Sequence, residues 1–252
     1  MKILYFTSTG NCLWIAKELG GELLSIPRMI KENRYEFEDD AVGIVFPCYY
    51  LGTPRIVEEF LRKAKIRANY LFAVMSYGNM SAGGLYHFSR TARKYGMQFS
   101  YLNEILMIDN YLPVFDMNEQ KAQAPGKNIK EHITNIVGDI SARTSYIRKS
   151  GFLARLGSYL LQFYYRYTHG KADTKFLVND QCNGCKICER VCPVNNIKVD
   201  QRPTFFHQCE ECLACVHHCS QNAIRMTNEK SSERYINEHV TLREILHASG
   251  NQ

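Results

Sequence analysis

No stretch of this 252-residue chain approaches the ~18 uninterrupted apolar residues of a membrane-spanning helix; the nearest, "LLQFYYRY", is interrupted by Gln162 and Arg166. A membrane span is therefore not expected. The opening "MKILYFTSTG" lacks the long apolar region and small-residue cleavage site of a secretory leader, so export is not expected either. Apolar material is not scarce: a chain that is 45% hydrophobic and 22% charged folds, and its length suits two small domains better than one. Cysteine is nearly absent outside one region. Eight of the ten lie between residues 182 and 219, with only Cys12 and Cys48 elsewhere. In an unsecreted chain such a cluster reads as a metal site and not a disulfide scaffold, which implies a reducing, cytoplasmic compartment. Acidic charge is scarce between residues 121 and 175, where ten Lys and Arg face three Asp and Glu. That connector carries net +7 of the overall +6, leaving −1 for the remainder.

From the N-terminus, short apolar runs such as "KILYFTS", "AVGIVFPCYY" and "NYLFAVMSY" alternate with longer amphipathic ones. Ala41 to Phe46 and Leu71 to Met75 show no polar alternation, as parallel strands covered on both faces do. The expected fold class is α/β, a doubly wound parallel sheet for which the flavodoxin-like order 2-1-3-4-5 is a standard solution. Ile129, Ile133, Ile136, Val137 and Ile140 mark the apolar face of a closing helix. A further helix is expected over residues 152 to 168, with Arg155, Ser158, Gln162 and Arg166 on a narrow polar face and Leu, Phe and Tyr around the rest. It either packs between the two domains or docks on an anionic surface or an acidic partner. After Gly170, "CNGCKICERVCPVNNIKV" and "CEECLACVHHCSQNAIRM" repeat with a period of 27 residues. The last two dozen residues are polar, with a helix expected from Thr241 to His247.

Tetrahedral zinc sites usually pair two separated C-x-x-C knuckles around one ion. Three cysteines at i, i+3 and i+6 suit a cubane cluster better, because each thiolate takes a different iron corner and the fourth comes from a distance. Over about residues 176 to 228 the chain resembles bacterial-type two-cluster ferredoxins: "CNGCKICERVCP" matches their run in full, and "CEECLACVHHCS" departs only at Ser220, which stands where the proline would be. The resemblance implies that Cys182, Cys185, Cys188 and Cys219 hold one 4Fe-4S cluster, while Cys209, Cys212, Cys215 and Cys192 hold the other.

The stretch "TSTGNC", residues 7 to 12, lies between the first strand and the first helix, where hydroxyls, backbone N–H groups and the helix dipole favour an anion. It lacks the G-x-G-x-x-G of dinucleotide binders and the lysine of a P-loop, which disfavours NAD and ATP. "PCYYLGTP" and "SYGNMSAGG" end strands three and four at the same sheet edge. Together these loops resemble the FMN site of flavodoxins over about residues 1 to 120. The likeness casts Thr7, Ser8, Thr9, Gly10, Asn11 and Cys12 as the phosphate loop, with Cys12 in place of a threonine. Pro47, Tyr49, Tyr50, Gly52, Ser76, Tyr77, Gly78, Asn79 and Gly83 would form the walls around the ring, tyrosines as flat surfaces and glycines for close approach. A thiol at a helix N-terminus is also a candidate for a lowered pKa.

The whole order is similar to fused flavodoxin-ferredoxin proteins found mainly in anaerobes. It implies a flavodoxin-like domain at 1–150, a basic helical connector at 151–175, a smaller α+β two-cluster ferredoxin domain at 176–228 and a polar tail at 229–252. The expected function is electron transfer between FMN and two 4Fe-4S clusters, with acidic redox proteins rather than nucleic acid as partners. Two alternatives stay open: a flavin-dependent oxidoreductase with its own small substrate, and a zinc-binding interaction protein whose flavodoxin-like domain is empty.

Overall fold

The computed structural model describes residues 1–251. Five strands, β1 (Lys2–Tyr5), β2 (Glu22–Ser25), β3 (Ala41–Pro47), β4 (Tyr70–Tyr77) and β5 (Tyr101–Leu106), pair in parallel in the order β2-β1-β3-β4-β5, and a short β6 (Tyr146–Ile147) extends the β5 edge. This is the flavodoxin-like order expected above. Successive side chains point to opposite faces. Ile3 and Tyr5 enter one core with α1 (Asn11–Leu19), while Leu4 and Phe6 enter another with α2 (Ile26–Lys31), α3 (Arg55–Lys63) and α4 (Gly84–Arg93). β3 and β4 are buried almost throughout, which is why their sequences show no polar alternation.

After β5 come a short α5 (Met117–Gln123), then α6 (Ile129–Ser141), whose Ile133, Ile136 and Ile140 close the first core. The connector helix is α7 (Phe152–Thr168). Beyond it, β7 (Phe176–Val178), α8 (Ile187–Arg190), β8 (Ile197–Val199), β9 (Pro203–Phe205), α9 (Ala214–His217) and β10 (Ile224–Met226) build a small α+β module with antiparallel pairs β7–β10 and β8–β9. Its Val191, Ile197, Val216 and Ile224 join the apolar cluster that contains α1 and α6, so one core runs through both parts.

The last residues pack on the sheet domain. α10 (Leu242–Ser249) begins with a capping box in which the Thr241 hydroxyl accepts from Glu244 N–H, and Lys17 holds the Glu244 carboxylate at 2.8 Å. No helix among the described residues is long and apolar enough to cross a membrane.

Candidate cofactor cavity and cysteine clusters

The "TSTGNC" loop turns between β1 and α1 at the carboxyl edge of the sheet. Thr7 Oγ1 accepts from Gly10 N–H at 3.2 Å, and Thr9 Oγ1 accepts from Asn110 Nδ2 at 2.7 Å. The first-turn N–H groups of α1 lack intrahelical partners, as in any α-helix, and lie at the positive end of its dipole. Cys12 Sγ sits 3.1 Å from Ser76 Oγ, and burial pushes the thiol up to about 12 against the pull of that hydrogen bond. Burial therefore outweighs the hydrogen bonds from Ser76, and Cys12 is a packed, protonated thiol.

Three loops meet this one around a cavity of about 410 Å³. Twelve of the expected residues line it: Thr7, Ser8, Thr9, Asn11 and Cys12 from the first loop; Pro47, Tyr49 and Tyr50 after β3; Ser76, Tyr77, Gly78 and Asn79 after β4. Gly10, Gly52 and Gly83 do not. A Cβ on Gly10, whose φ is +106°, would lie 2.2 Å from Val240 Cγ2, so this glycine lets the C-terminal segment close on the back of the loop. Gly52 and Gly83 face α7 instead: an added Cβ would meet Gln162 at 2.4 Å in one case and the Arg155 backbone at 2.8 Å in the other.

Sequence reasoning missed the third wall, the loop after β5 with Ile108, Asp109, Asn110 and Tyr111, together with Leu161 from α7 and Glu211, Cys212 and Leu213 from the cysteine module. The signal for Asp109 to Tyr111 was positional, since the loop after a fifth parallel strand opens at the same edge. For Glu211 the signal was a mismatch within the repeat: "CNGC" becomes "CEEC". The Glu211 carboxylate accepts from Tyr50 at 2.8 Å and from Tyr111 at 2.7 Å. Burial, reinforced by the Glu211 charge, raises both phenols. Its neighbour Glu210 is buried and accepts from Ile56 N–H at the start of α3 (3.1 Å) and from the Tyr165 hydroxyl (3.2 Å). The two glutamates thus tie the cysteine turn to the sheet domain. His218 Nε2 donates to the Ser8 carbonyl at 3.0 Å and His217 Nε2 to the Asn110 carbonyl at 2.8 Å, so the first loop is fastened to the same module and the loop after β5 is held a second time.

The cavity walls decide what fits. A volume of about 410 Å³ falls within the range typical of cofactor pockets. One end offers hydroxyls and a helix N-terminus; the middle is lined by Tyr49, Tyr50, Tyr77 and Tyr111 with Ile108 and Met107. The Tyr49 hydroxyl is buried near Ser8 without reaching hydrogen-bond geometry to any partner. An aromatic ligand with a polar rim and a phosphate matches this set, and FMN is such a ligand.

In the cysteine module the 27-residue repeat is a repeat of backbone. Lys186 and Leu213, Asn195 and Asn222, and Gly184 and Glu211 all take left-handed conformations at equivalent positions. The first two reversals of each repeat bend the C-x-x-C turn into α8 or α9, which carries the third cysteine, and Asn195 and Asn222 turn the chain after the fourth. Cys182, Cys185 and Cys188 line one hollow together with Cys219 of the other repeat. Cys192 lies close enough to Cys209, Cys212 and Cys215 that each of those three thiols feels its charge, while Cys188 feels Cys185, Cys219 and Cys182. Among the described residues no three His, Cys, Asp or Glu side chains converge on a point that would hold one ion. Backbone N–H groups donate to sulfur at equivalent places: Asn196 to Cys192 and Ala223 to Cys219, both at 3.2 Å, with a third from Glu211 to Cys209 at 3.3 Å. Such bonds stabilise a negatively charged sulfur. Burial raises the thiol pKa of Cys188 to about 12 and lifts Cys192, Cys209, Cys212 and Cys215 as well, so ligation by these residues releases protons.

Residues 176–198 match the family of 4Fe-4S binding domains. The C-terminal part is thus ferredoxin-type and binds at least one 4Fe-4S cluster, which assigns the protein to iron-sulfur electron transfer in broad terms. The matched segment contains the first cysteine run and stops before the second. No curated protein matches the chain.

Proposed function

We propose that this chain carries electrons between FMN in the sheet-edge cavity and two 4Fe-4S clusters in the cysteine module, and exchanges them with other redox proteins of a reducing cytoplasm. The observation that carries this reading is Cys212: a member of the second cysteine set lines the same cavity as the "TSTGNC" loop, so the two cofactor sites share a wall. Thr7, Ser8, Thr9 and the start of α1 hold the phosphate, while Tyr49, Tyr50 and Tyr77 flank the ring. Cys182, Cys185, Cys188 and Cys219 hold the outer cluster, and Cys192, Cys209, Cys212 and Cys215 the inner one. FMN supplies one- and two-electron chemistry, and each cluster handles single electrons. Burial of Cys192, Cys209 and Cys215 keeps water from the inner set, whereas exposed Cys185 leaves the outer set open to a partner. In this reading residues 1–150 serve the flavin and residues 176–228 the clusters, with 151–175 as the helical connection.

Ser8→Asp is the test of the flavin half. Ser8 lines the cavity on the phosphate loop, and a carboxylate there repels a phosphate dianion. Protein reconstituted with iron, sulfide and FMN should bind FMN, and Ser8→Asp should bind it at least tenfold more weakly with unchanged iron content. Equal FMN affinity in the two proteins would falsify the site. Stepwise anaerobic reduction, followed by flavin and cluster absorbance together, should show electrons redistributing within a single chain at high dilution; redistribution only at high protein concentration would rule out the shared wall as the route.

A further inference from the structure

Helix α7 is docked inside out. Its buried residues are Ser158, Gln162 and Tyr165, whereas Phe152 (77% exposed), Leu153 (79%), Phe163 (69%) and Tyr167 (83%) point to solvent together with Leu156 and Leu160. The polar stripe is held by specific partners: Gln162 Nε2 donates to the Tyr49 carbonyl at 2.6 Å and to the Tyr50 carbonyl at 3.1 Å, and Ser158 Oγ accepts from Gly83 N–H at 2.8 Å. Arg166 pairs with Glu58 at 3.0 Å. Gly52 and Gly83 are glycines because this stripe lies directly on them. The orientation is therefore built into the fold, and it leaves a continuous apolar face about 25 Å long on the outside, at 1.5 Å per residue over 17 residues.

Charge indicates what covers that face. Between Ile140 and Ala172 the chain has no Asp or Glu, but it has Arg143, Arg148, Lys149, Arg155, Arg166 and Lys171. Lys149 just before the helix and Lys171 and Lys175 just after it are exposed and form no ion pair among the described residues. We infer that α7 lies in the interfacial plane of an anionic lipid bilayer, its Phe and Leu side chains entering the acyl boundary and its flanking cations meeting the headgroups. A helix with one apolar and one anchored face, tyrosines at the margin and lysines at both ends has the composition of an interfacial helix. Two copies of this chain would bring like charges together, and Glu58 beside the helix is already paired with Arg166, which disfavours self-association. The long apolar surface of a single helix suits a deformable bilayer. Leu161 belongs both to this helix and to the cavity wall, so docking places the cavity beside the headgroups.

The full chain, loaded with iron and sulfide, is floated with vesicles of phosphatidylcholine alone and with vesicles containing phosphatidylglycerol at physiological salt. Binding is expected only to the anionic vesicles, falling as salt rises. Leu160→Glu/Phe163→Glu, on exposed positions that the fold does not need, should weaken it at least tenfold; Lys149→Glu/Lys171→Glu should weaken it roughly tenfold. Iron content verifies that each variant is folded. Failure of the wild-type protein to float overturns the proposal, as does equal binding by the apolar variant. Light scattering that shows a dimer dissolved by Leu160→Glu/Phe163→Glu, without vesicle binding, assigns the face to a second copy. Capture by an acidic protein with no vesicle binding assigns it to that partner, and both results overturn the lipid assignment. FMN uptake is measured separately, so its failure leaves this result standing.

Discussion

His87 shows how a single side chain ties a cavity loop to a helix. Its Nδ1 accepts from the Thr53 hydroxyl at 3.1 Å, and burial, aided by Arg166, lowers its pKa to about 4. The folded value lies below the ordinary ~6.5, so on acidification the unfolded chain takes up the proton first. Stability from this group is complete above about pH 6.5 and falls by up to ~1.4 kcal/mol per pH unit until about pH 4. Thermal midpoints measured between pH 7 and 5 should drop less steeply in His87→Gln, which keeps an acceptor without a titrating ring; identical slopes would show that His87 does not titrate as described. Gly10 is the residue whose role changed most. A substitution there strikes Val240 and Asn237 before it reaches any ligand, so Gly10→Asp would report on packing of the C-terminal segment and not on phosphate.

At the scale of the element, α7 departs from the usual expectation that apolar faces turn inward. Four residues decide it. Ser158, Gln162 and Tyr165 are buried because they satisfy a backbone amide, two carbonyls and a carboxylate, and Arg166 adds an ion pair at the margin. Tyr165 also stacks on Tyr50 with ring centroids 4.7 Å apart. Gln162→Leu strands the Tyr50 carbonyl at a cost of about 1–3 kcal/mol unless water reaches it, while the Tyr49 carbonyl keeps the Gly52 N–H. Amide exchange across residues 152–168 should then accelerate at least tenfold while β3 and β4 keep their protection. Unchanged exchange in α7 would mean that the hydrogen bonds of Gln162 do not hold the helix down.

Across the whole molecule the proposed crossed ligation would bind the two cysteine repeats to each other. If Cys192 ligates with Cys209, Cys212 and Cys215, then Cys192→Ala should lower iron content toward half and remove the cluster beside the cavity, leaving the one bound by Cys182, Cys185 and Cys188. Spectra of the reduced variant should show one cluster signal, and the FMN affinity proposed for the cavity should change because Cys212 and Glu211 line it. Loss of the Cys182 cluster instead would place Cys192 in its own repeat's site. The salt-screened attraction expected of the basic connector belongs at this scale too, since its exposed lysines flank α7 and act on whatever surface approaches it.

Local chemistry was enough to determine the parallel sheet and its order, the duplicated cysteine module and three of the four loops around the cavity. Unbroken apolar runs report burial on both faces, and cysteine spacing reports which thiolates can share a cluster, because both depend on neighbours in sequence. Tertiary structure alone decided which face of α7 is buried: hydropathy assigns the apolar face to the core, but the carbonyls of Tyr49 and Tyr50 and the amide of Gly83 lie elsewhere in the chain. The same holds for the last residues, whose polar composition hides how they pack: the Tyr235 hydroxyl and Asn237 Nδ2 both donate to Asn11 Oδ1. It holds also for Glu211, whose carboxylate has meaning only beside Tyr50 and Tyr111. Hydrogen bonds between residues 75 or more positions apart leave no periodic trace, and it was these bonds that set the cysteine module against the sheet-edge cavity.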